Sequence, residues 1–255
     1  MERLEIFNKA VEEYVRPETY PVAIKIIENK NEIPQGIQTV QSQLGITMAL
    51  CQGWGKVRFN GESLAMLKED ISCPIALFTL GLAAPPLEWD EGSLYIDWMT
   101  SSEKAASNFA NSMYRLPKGK YVGVIMAPIH DCNFEPDMVM VYCNPLQLLF
   151  LVSASLYDRG GRFDNSISPL GVCTDIIAPV MQTGQCRFGI PCVGDRKYEC
   201  TSKDEVVFSA PTERLNKISD GLAFSYEHGE LFRLPRALDH ASEHLETYRR
   251  LREIL

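Results

Sequence analysis

The segment from residue 137 to residue 157 constrains the fold more than any other part of the sequence. Its first six residues, DMVMVY, are mostly apolar and rich in valine, which is typical of a buried β-strand. Asn144-Pro145 then stops the strand, because proline fixes its own backbone and restricts the residue before it. The apolar run that follows, over residues 147–157, predicts a buried helix. A strand, a turn and a helix in this order indicate a fold that combines sheet and helix.

Further strands and helices are predicted along the whole chain. Short β-branched or apolar runs predict strands over residues 20–27, 57–59, 121–127, 187–190 and 205–209. Helical periodicity predicts helices over residues 3–15, 47–54, 62–69, 102–113, 176–181 and 238–255. No linker or low-complexity tract divides them, and hydrophobic residues make up 45% of the 255 residues. The sequence therefore predicts one α+β domain over residues 1–255, a mixed sheet with flanking helices.

Charge and hydropathy exclude several classes of partner. The formal net charge is −8 and no stretch has five adjacent basic residues, so neither nucleic acid nor an anionic membrane surface is an expected partner. The most apolar run, LQLLFLVSASL, is far shorter than the roughly 20 residues of a membrane span. The first residues, MERLEIFNKAVEEYV, lack the apolar core of a signal peptide. We expect a cytoplasmic protein.

The eight cysteines are the most informative chemical feature. Cytosolic thiols are kept reduced, so a disulfide framework is a poorer explanation than metal ligands, catalytic thiols or buried packing residues. Cys51, Cys73, Cys173 and Cys192 could together bind zinc or an iron–sulfur cluster, because thiolate sulfur suits both. The chain contains no C-x-x-C pair. Such a site therefore requires that cysteines distant in the sequence become neighbours in the fold.

A weak internal echo suggests how this could happen. Cys51 lies on a predicted helix and is followed 22 residues later by Cys73 in Ser-Cys-Pro. Cys173 precedes a predicted helix and is followed 19 residues later by Cys192, which comes after Pro191. If the two segments fold alike, a pseudo-twofold arrangement brings the four cysteines together. Chance similarity between short segments is the alternative.

A metal-free active site is a second possibility. Cys73 or Cys192 could act as nucleophile, acid or base, and Arg196 could lower the pKa of a nearby thiol by favouring its charged form. Lys25 in the predicted strand 20–27 and His130 could assist. Each residue also has a structural interpretation: the strand lysine points to solvent, Arg196 pairs with Asp195 at a turn, and the cysteines are core residues.

A third possibility is a module that binds a small molecule without converting it. The aromatic residues Trp54, Trp89, Tyr95 and Trp98 could line a pocket for a flat ligand, with Trp89 and Trp98 as its walls, or they could be core residues. The remaining cysteines, Cys132, Cys143, Cys186 and Cys200, have no special sequence surroundings. The amphipathic terminal helix, residues 238–255, could serve a homo-oligomer interface.

Several motifs together resemble one family, domain of unknown function 169 (DUF169), also called ArCR. They are PDMVMVYCNPLQLLFL, ISCP, PVAIK, the Cys51-Gln52 pair and the pattern C-x18-C-x-G-D-R that ends at Arg196. The resemblance covers nearly the whole chain. It implies roles for the four cysteines, for the Gly194-Asp195-Arg196 turn, and for Asn144, Pro145 and Gln147. Trp54 stands where a smaller residue is usual in the family. The family is common in archaea and anaerobic bacteria, and the resemblance implies no particular reaction.

These observations lead to one main hypothesis and two alternatives. The main one is a cytoplasmic cysteine-based redox protein of anaerobic metabolism that binds an iron–sulfur cluster or another metal such as zinc. Arg196 and the backbone amides near Gly194 then tune the potential of a cluster by hydrogen bonding. The alternatives are a lyase, hydratase or isomerase with a reactive cysteine, and the small-molecule binding module. The expected partner is a small-molecule substrate or a redox partner. The sequence leaves open whether the chain is an enzyme.

Overall fold

A seven-stranded sheet with helices on both faces forms the body of the protein. The computed structural model describes residues 2–228, 250–251 and 253–254. The strands are β1 (Val22–Ile27), β2 (Gln38–Thr39), β3 (Leu64–Leu67), β4 (Gly123–Pro128), β5 (Met138–Cys143), β6 (Arg187–Gly189) and β7 (Val206–Pro211). Their order in the sheet is β2-β3-β4-β1-β5-β7-β6. All neighbouring strands are antiparallel except β2 and β3, which are parallel. The predicted α+β class with a mixed sheet is confirmed.

Ten α-helices accompany the strands in the described residues. They are α1 (Glu2–Ala10), α2 (Val40–Leu44), α3 (Leu50–Asn60), α4 (Pro74–Thr79), α5 (Leu87–Glu91), α6 (Glu103–Ser112), α7 (Pro145–Leu156), α8 (Ala178–Thr183), α9 (Val193–Tyr198) and α10 (Leu215–His228). A π-helical turn, Val11–Val15, extends α1, and a second, Cys173–Ile177, leads directly into α8. Single 3₁₀ turns occur at Lys30–Glu32, Lys68–Asp70, Ser93–Tyr95, Ile129–Asp131 and Thr212–Arg214.

Both faces of the sheet are buried. Along each strand the side chains point alternately to one face and to the other. Ile24, Met126 and Met140 point to one face, which we call the front; it packs against α3, α4 and α8. Ala23 and Val139 point to the back face, which packs against α1, α7 and α10. Since both faces are covered, the domain has a three-layer helix–sheet–helix core.

Methionines form much of the sheet surface on the front face. Met66, Met126, Met138 and Met140 are all fully buried there. Helix α3 lies directly on this surface because Gly53 faces it: a Cβ atom at Gly53 would come within 2.5 Å of Met66 Sδ. We call these four methionines the methionine floor.

The two halves of the sheet repeat the same order of elements. The first half contains β1–α3–β3–α4–β4 and the second contains β5–α8–β6–α9–β7; α7 is additional in the second half, and β2, α2, α5 and α6 are additional in the first. Apart from the edge strand β2, the halves lie in the sheet as β3-β4-β1 beside β5-β7-β6, so the order of equivalent strands reads the same from either end. Antiparallel β1 and β5 meet at the centre, where Val22 pairs with Met140. The topology therefore has the pseudo-twofold relation that the cysteine spacing suggested.

The motif Asn144-Pro145-x-Gln147 is a helix start. The Asn144 side chain accepts a hydrogen bond from the Gln147 amide at 3.0 Å, and the Gln147 side chain accepts one from the Asn144 amide at 2.8 Å, which forms a capping box with Pro145 in the first turn. Gln147 Nε2 also donates to the carbonyl oxygens of Val15 and Arg16. The motif thus fixes α7 and the end of the first helix on the back face.

Two of the predicted elements are wrong. Residues 57–59 belong to α3, which continues to the left-handed Gly61, and are not a strand. Residues 62–69 contain β3 and a 3₁₀ turn, and are not a helix. Apolar runs of four or five residues fit either type of structure, and here pairing with β4 decides in favour of the strand. Helix α10 had no predicted counterpart, and most of the predicted helix 238–255 lies outside the described residues.

Candidate functional site

The four cysteines singled out from the sequence line one cavity of about 390 Å³ on the front face. Cys51 is the second residue of α3, and Cys173 is the first residue of the π-helical turn before α8. Cys73 and Cys192 immediately precede α4 and α9. All four therefore lie at the N-terminal end of a helical segment, and each half of the sheet contributes an equivalent pair.

Backbone pairing holds the first pair together. The Met48 amide donates to the Asp70 carbonyl and the Ser72 amide donates to the Met48 carbonyl, both at 2.9 Å. The buried Asp70 carboxylate accepts from the amides of Gln41 at 2.6 Å and Leu67 at 2.7 Å. These contacts place the start of α3 beside the loop that carries Cys73.

A carboxylate and a glycine hold the second pair together. Asp195 Oδ2 accepts a hydrogen bond from the Cys192 amide at 2.7 Å and caps α9. The Val172 backbone, next to Cys173, acts to lower the pKa of the Asp195 carboxyl, against the larger effect of burial. Gly171, at φ +75°, lies so close that a Cβ atom there would come within 2.6 Å of Cys192 Cβ. This contact requires glycine, both for its backbone conformation and for its lack of a side chain.

The rest of the cavity wall is mainly apolar. Its non-cysteine lining residues are Ala49, Leu50, Gln52, Trp54, Ser72, Pro74, Ile75, Ala76, Leu170, Val172, Gly194, Asp195 and Tyr198. Asp195 is the one Asp or Glu among these lining residues. The wall offers no Lys or Arg to an anionic ligand.

Burial makes the thiols of Cys51, Cys173 and Cys192 weaker acids than a free cysteine. The protein packed around the sulfurs raises the pKa of Cys51 and Cys173, and raises the pKa of Cys192 to about 12. The neighbouring Asp195 carboxylate acts in the same direction, and burial raises its own pKa. The pKa of Cys192 therefore lies above its usual value although Arg196 is nearby in the sequence. The Arg196 guanidinium instead donates to the Ser202 carbonyl at 2.7 Å.

The backbone amide of Gly194 lies near the Cys192 sulfur. It acts to lower the pKa of that thiol, against the larger effect of burial. A Cβ atom at Gly194 would lie 3.4 Å from that sulfur, so the glycine backbone approaches it closely. Amide–sulfur hydrogen bonds of this kind stabilise thiolate ligands.

A buried ionic network behind the cavity was not found from the sequence. The fully buried Arg58 side chain donates to Glu199 at 2.9 Å and also to Glu205. Glu199 further accepts from the hydroxyl groups of Tyr142 and Thr201, both at 3.0 Å. Burial raises the pKa of Glu199 to about 7, against the effect of Arg58. The network joins α3 of the first half to residues of the second half.

Close packing and ring contacts fix this network in place. The Arg58 guanidinium lies 3.7 Å from the centre of the Tyr142 ring. A Cβ atom at Gly55 would come within 2.9 Å of Glu199 Cγ. Arg58 and Glu199 are 141 positions apart, and no spacing rule predicts a pair at that separation. The two glycines of Cys-Gln-Gly-Trp-Gly, at positions 53 and 55, were the available signal that this helix packs closely on both sides.

Lys25 and His130, proposed to assist a reactive cysteine, lie away from the cavity. Lys25 is half-buried on β1 and lies 3.5 Å from Glu32. His130 is exposed and its ring centre lies 4.7 Å from that of Tyr20. Neither residue lines the cysteine cavity.

The aromatic residues do not form one pocket. Trp54 lines the cysteine cavity, whereas Trp89 and Tyr95 are buried in a separate cluster beside α6. Trp98 stacks on Tyr95 and is 56% exposed. Trp89 and Trp98 are therefore not walls of the cavity that contains the cysteines.

The other four cysteines lie elsewhere. Cys132, Cys143 and Cys186 are buried on the back face of the sheet, and Cys200 is exposed. The eight cysteines are all free thiols. The sheet thus separates three packing cysteines from the four that share the cavity.

The four cysteines surround an open cavity. In the described part of the chain, no three Cys, His, Asp or Glu side chains are close enough together to bind a single metal ion. Among the same residues, no helix has the length and apolar character needed to cross a membrane.

Comparison with known proteins places this arrangement in a family. The family model DUF169, described as uncharacterised ArCR, matches residues 10–221. This range includes the seven strands and both cysteine pairs. The chain belongs to the DUF169 family. It is 28% identical over 204 residues to an uncharacterized protein of Methanocaldococcus jannaschii, an alignment that covers 79% of this chain and 85% of that protein. No solved structure matches this DUF169 protein.

Proposed function

We propose that this DUF169 protein is a cysteine-based redox protein whose four front-face cysteines bind an iron–sulfur cluster. The observation that carries the proposal is that Cys51, Cys73, Cys173 and Cys192 line one cavity although no two of them are neighbours in sequence. Each of the four lies at the start of a helical segment, and none of the other four cysteines of the chain lines this cavity.

The open cavity between the four cysteines favours a cluster over a single zinc ion. In a tetrahedral zinc site each sulfur lies about 2.3 Å from one centre, so that the sulfurs are in close contact. Here the four thiols surround a cavity, and no three metal-binding side chains of the described residues gather at one point. A cluster spreads its irons apart and takes one cysteine per iron, which suits sulfurs held around a larger space.

The protein residues would perform three tasks in such a site. Each cysteine would bind as a thiolate and release its proton to solvent, and the iron–thiolate bonds would outweigh the raised pKa values of the buried thiols. The amide of Gly194, which acts to lower the pKa of Cys192, would stabilise negative charge on that ligand. The apolar wall limits access of water and thereby influences the reduction potential.

The main alternative is a metal-free enzyme that uses one of these cysteines. Two findings weigh against it. Burial raises the pKa of Cys192 to about 12, whereas a nucleophilic cysteine needs a lowered pKa. The two proposed helpers, Lys25 and His130, lie outside the cavity. A cytoplasmic location and a role in anaerobic metabolism remain part of the proposal and rest on the sequence.

Analysis of iron, zinc and acid-labile sulfide after strictly anaerobic purification tests the proposal. We expect about four irons and four sulfides per chain and a reducible visible absorption band, as for a four-iron cluster. A protein with neither metal that also fails to take up a cluster on anaerobic reconstitution would rule the proposal out. Stoichiometric zinc without iron would replace the cluster by a structural metal site. Rapid alkylation of one cavity cysteine, with protection by a small molecule, would favour the metal-free enzyme.

A further inference from the structure

The mouth of the cysteine cavity carries exposed apolar side chains on and beside α9. Val193, directly after Cys192, is 79% exposed, and Ile190 and Tyr198 are 49% and 48% exposed. Tyr198 also lines the cavity itself. These three residues form a surface that we call the α9 rim.

Basic residues surround this rim although the chain as a whole is acidic. Arg196 and Lys197 lie on α9, and Lys203 follows Ser202, whose carbonyl oxygen accepts a hydrogen bond from Arg196. Neither lysine forms a salt bridge with another described residue, and Lys197 Nζ lies 5.2 Å from the centre of the Tyr198 ring. Asp204 is an exposed acid in the same turn. Asp195 and Glu199 are buried, so that the exposed charged side chains of this segment are Lys197, Lys203 and Asp204, and the lysines outnumber the acid although the net charge of the chain is −8.

We propose that the α9 rim is the docking surface for a small acidic electron-transfer protein. This inference rests on the proposed function and names the partner of the same site. An apolar centre with a charged border is typical of protein interfaces, and complementary charge mainly accelerates and orients the encounter. Val193, at the centre of this surface, directly follows Cys192 in the chain. One electron would pass from the reduced partner to the cluster held by the four cysteines, so that the partner is oxidised and the cluster reduced, and no covalent bond is made or broken.

The charges favour an acidic partner over the other candidates. The exposed Lys197 and Lys203 attract a negatively charged protein surface at low ionic strength. A second copy of this chain offers the same basic rim, and therefore repulsion, if two rims face each other. The rim has too few basic residues, on too acidic a chain, for stable binding to nucleic acid.

Binding of a plant-type [2Fe–2S] ferredoxin, a small acidic protein, provides the test. Its oxidised form is titrated into the complete chain by calorimetry at 50 mM and 500 mM salt. The double variant Lys197→Glu/Lys203→Glu reverses the charge of the rim. The control Lys9→Glu/Lys217→Glu makes the same change of net charge on α1 and α10, behind the sheet. The variant Val193→Ser removes the apolar centre without changing the charge.

We expect the rim charge variant to weaken ferredoxin binding roughly tenfold or more at low salt, and the control to change it less than twofold. The affinity of the unaltered chain should fall with salt, and Val193→Ser should weaken binding at both salt concentrations. Absence of binding, equal effects of the two double variants, or self-association through the rim would overturn the inference. Iron content and reduction by titanium(III) citrate, measured on the same samples, report on the cluster separately. A protein that holds a reducible cluster but ignores the rim charges would refute the docking surface alone.

Discussion

The two halves of the sheet hold equivalent cysteines by different means. In the first half, backbone hydrogen bonds between Met48 and residues 70–72 bring Cys51 and Cys73 together. In the second half, the side chain of Asp195 and the missing side chain of Gly171 do so for Cys173 and Cys192. The position three residues after Cys73, which corresponds to Asp195, is an alanine. The comparison teaches that the placement of the sulfurs is shared by the two halves, whereas the contacts that support them are not.

The largest expected effect concerns the equivalence of the halves. If one cluster takes ligands from both, then Cys51→Ala and Cys173→Ala should each abolish most of the bound iron. Cys143→Ala and Cys186→Ala, which remove buried thiols behind the sheet, should leave the iron content unchanged. Iron analysis of anaerobically purified variants measures this. Loss of iron from one half's variant but not from the other's would show that the halves are not equivalent.

The ionic network between the halves should contribute the next largest effect. Arg58→Met leaves the Glu199 carboxylate buried without its partner, and we expect the free energy of unfolding to fall by about 3–5 kcal/mol. The matched change Lys56→Met breaks a partly exposed pair with Glu62 within the first half and should cost less than about 1 kcal/mol. Urea denaturation of the reduced, metal-free proteins compares them. Equal losses would mean that the network does not join the halves.

The support particular to the second half should respond to a single methyl group. Gly171→Ala places a Cβ atom within 2.6 Å of Cys192 Cβ at φ +75°, and we expect a loss of about 2–4 kcal/mol. Gly184→Ala, at φ +61° with no atom within 4 Å of the new Cβ, should show only the backbone cost of about 1 kcal/mol. The difference between the two variants in urea measures the close contact itself. No difference would mean that the loop at Gly171 moves aside freely.

The smallest expected effect is a dependence of stability on pH. The pKa of Glu199 rises from 4.5 to about 7 on folding, so the folded protein holds a proton that the unfolded chain releases between those values. The corresponding stability is present below about pH 4.5 and is lost as the pH rises through about 7, by on the order of 2 kcal/mol. Glu199→Gln should remove this loss, whereas Glu62→Gln, at a carboxyl of lowered pKa, should not. Unfolding curves between pH 5 and pH 8 provide the comparison, and parallel profiles for Glu199→Gln and the unaltered protein would contradict it.

The sequence predicted the proximity of the four cysteines better than it predicted the contacts that hold them in place. The spacing of Cys51, Cys73, Cys173 and Cys192 suggested two similar segments, and the fold places those segments at equivalent positions. Local patterns cannot reveal a contact such as Arg58–Glu199, because its partners are brought together only by the complete sheet. The same limit explains β3, whose four buried residues follow α3 so closely that an isolated apolar run could be assigned to either type of structure.

The methionine floor under α3 gives the site a surface that can change shape. Binding a cluster would draw four thiolates toward a common centre, and the helix starts that carry them would shift against the sheet. Unbranched thioether chains adapt to such shifts by rotating about several bonds, and the buried core of the back face contains no methionine among its described residues. Met66, Met126, Met138 and Met140 would therefore let the front helices adjust if a cluster is bound, while the back of the domain keeps its packing.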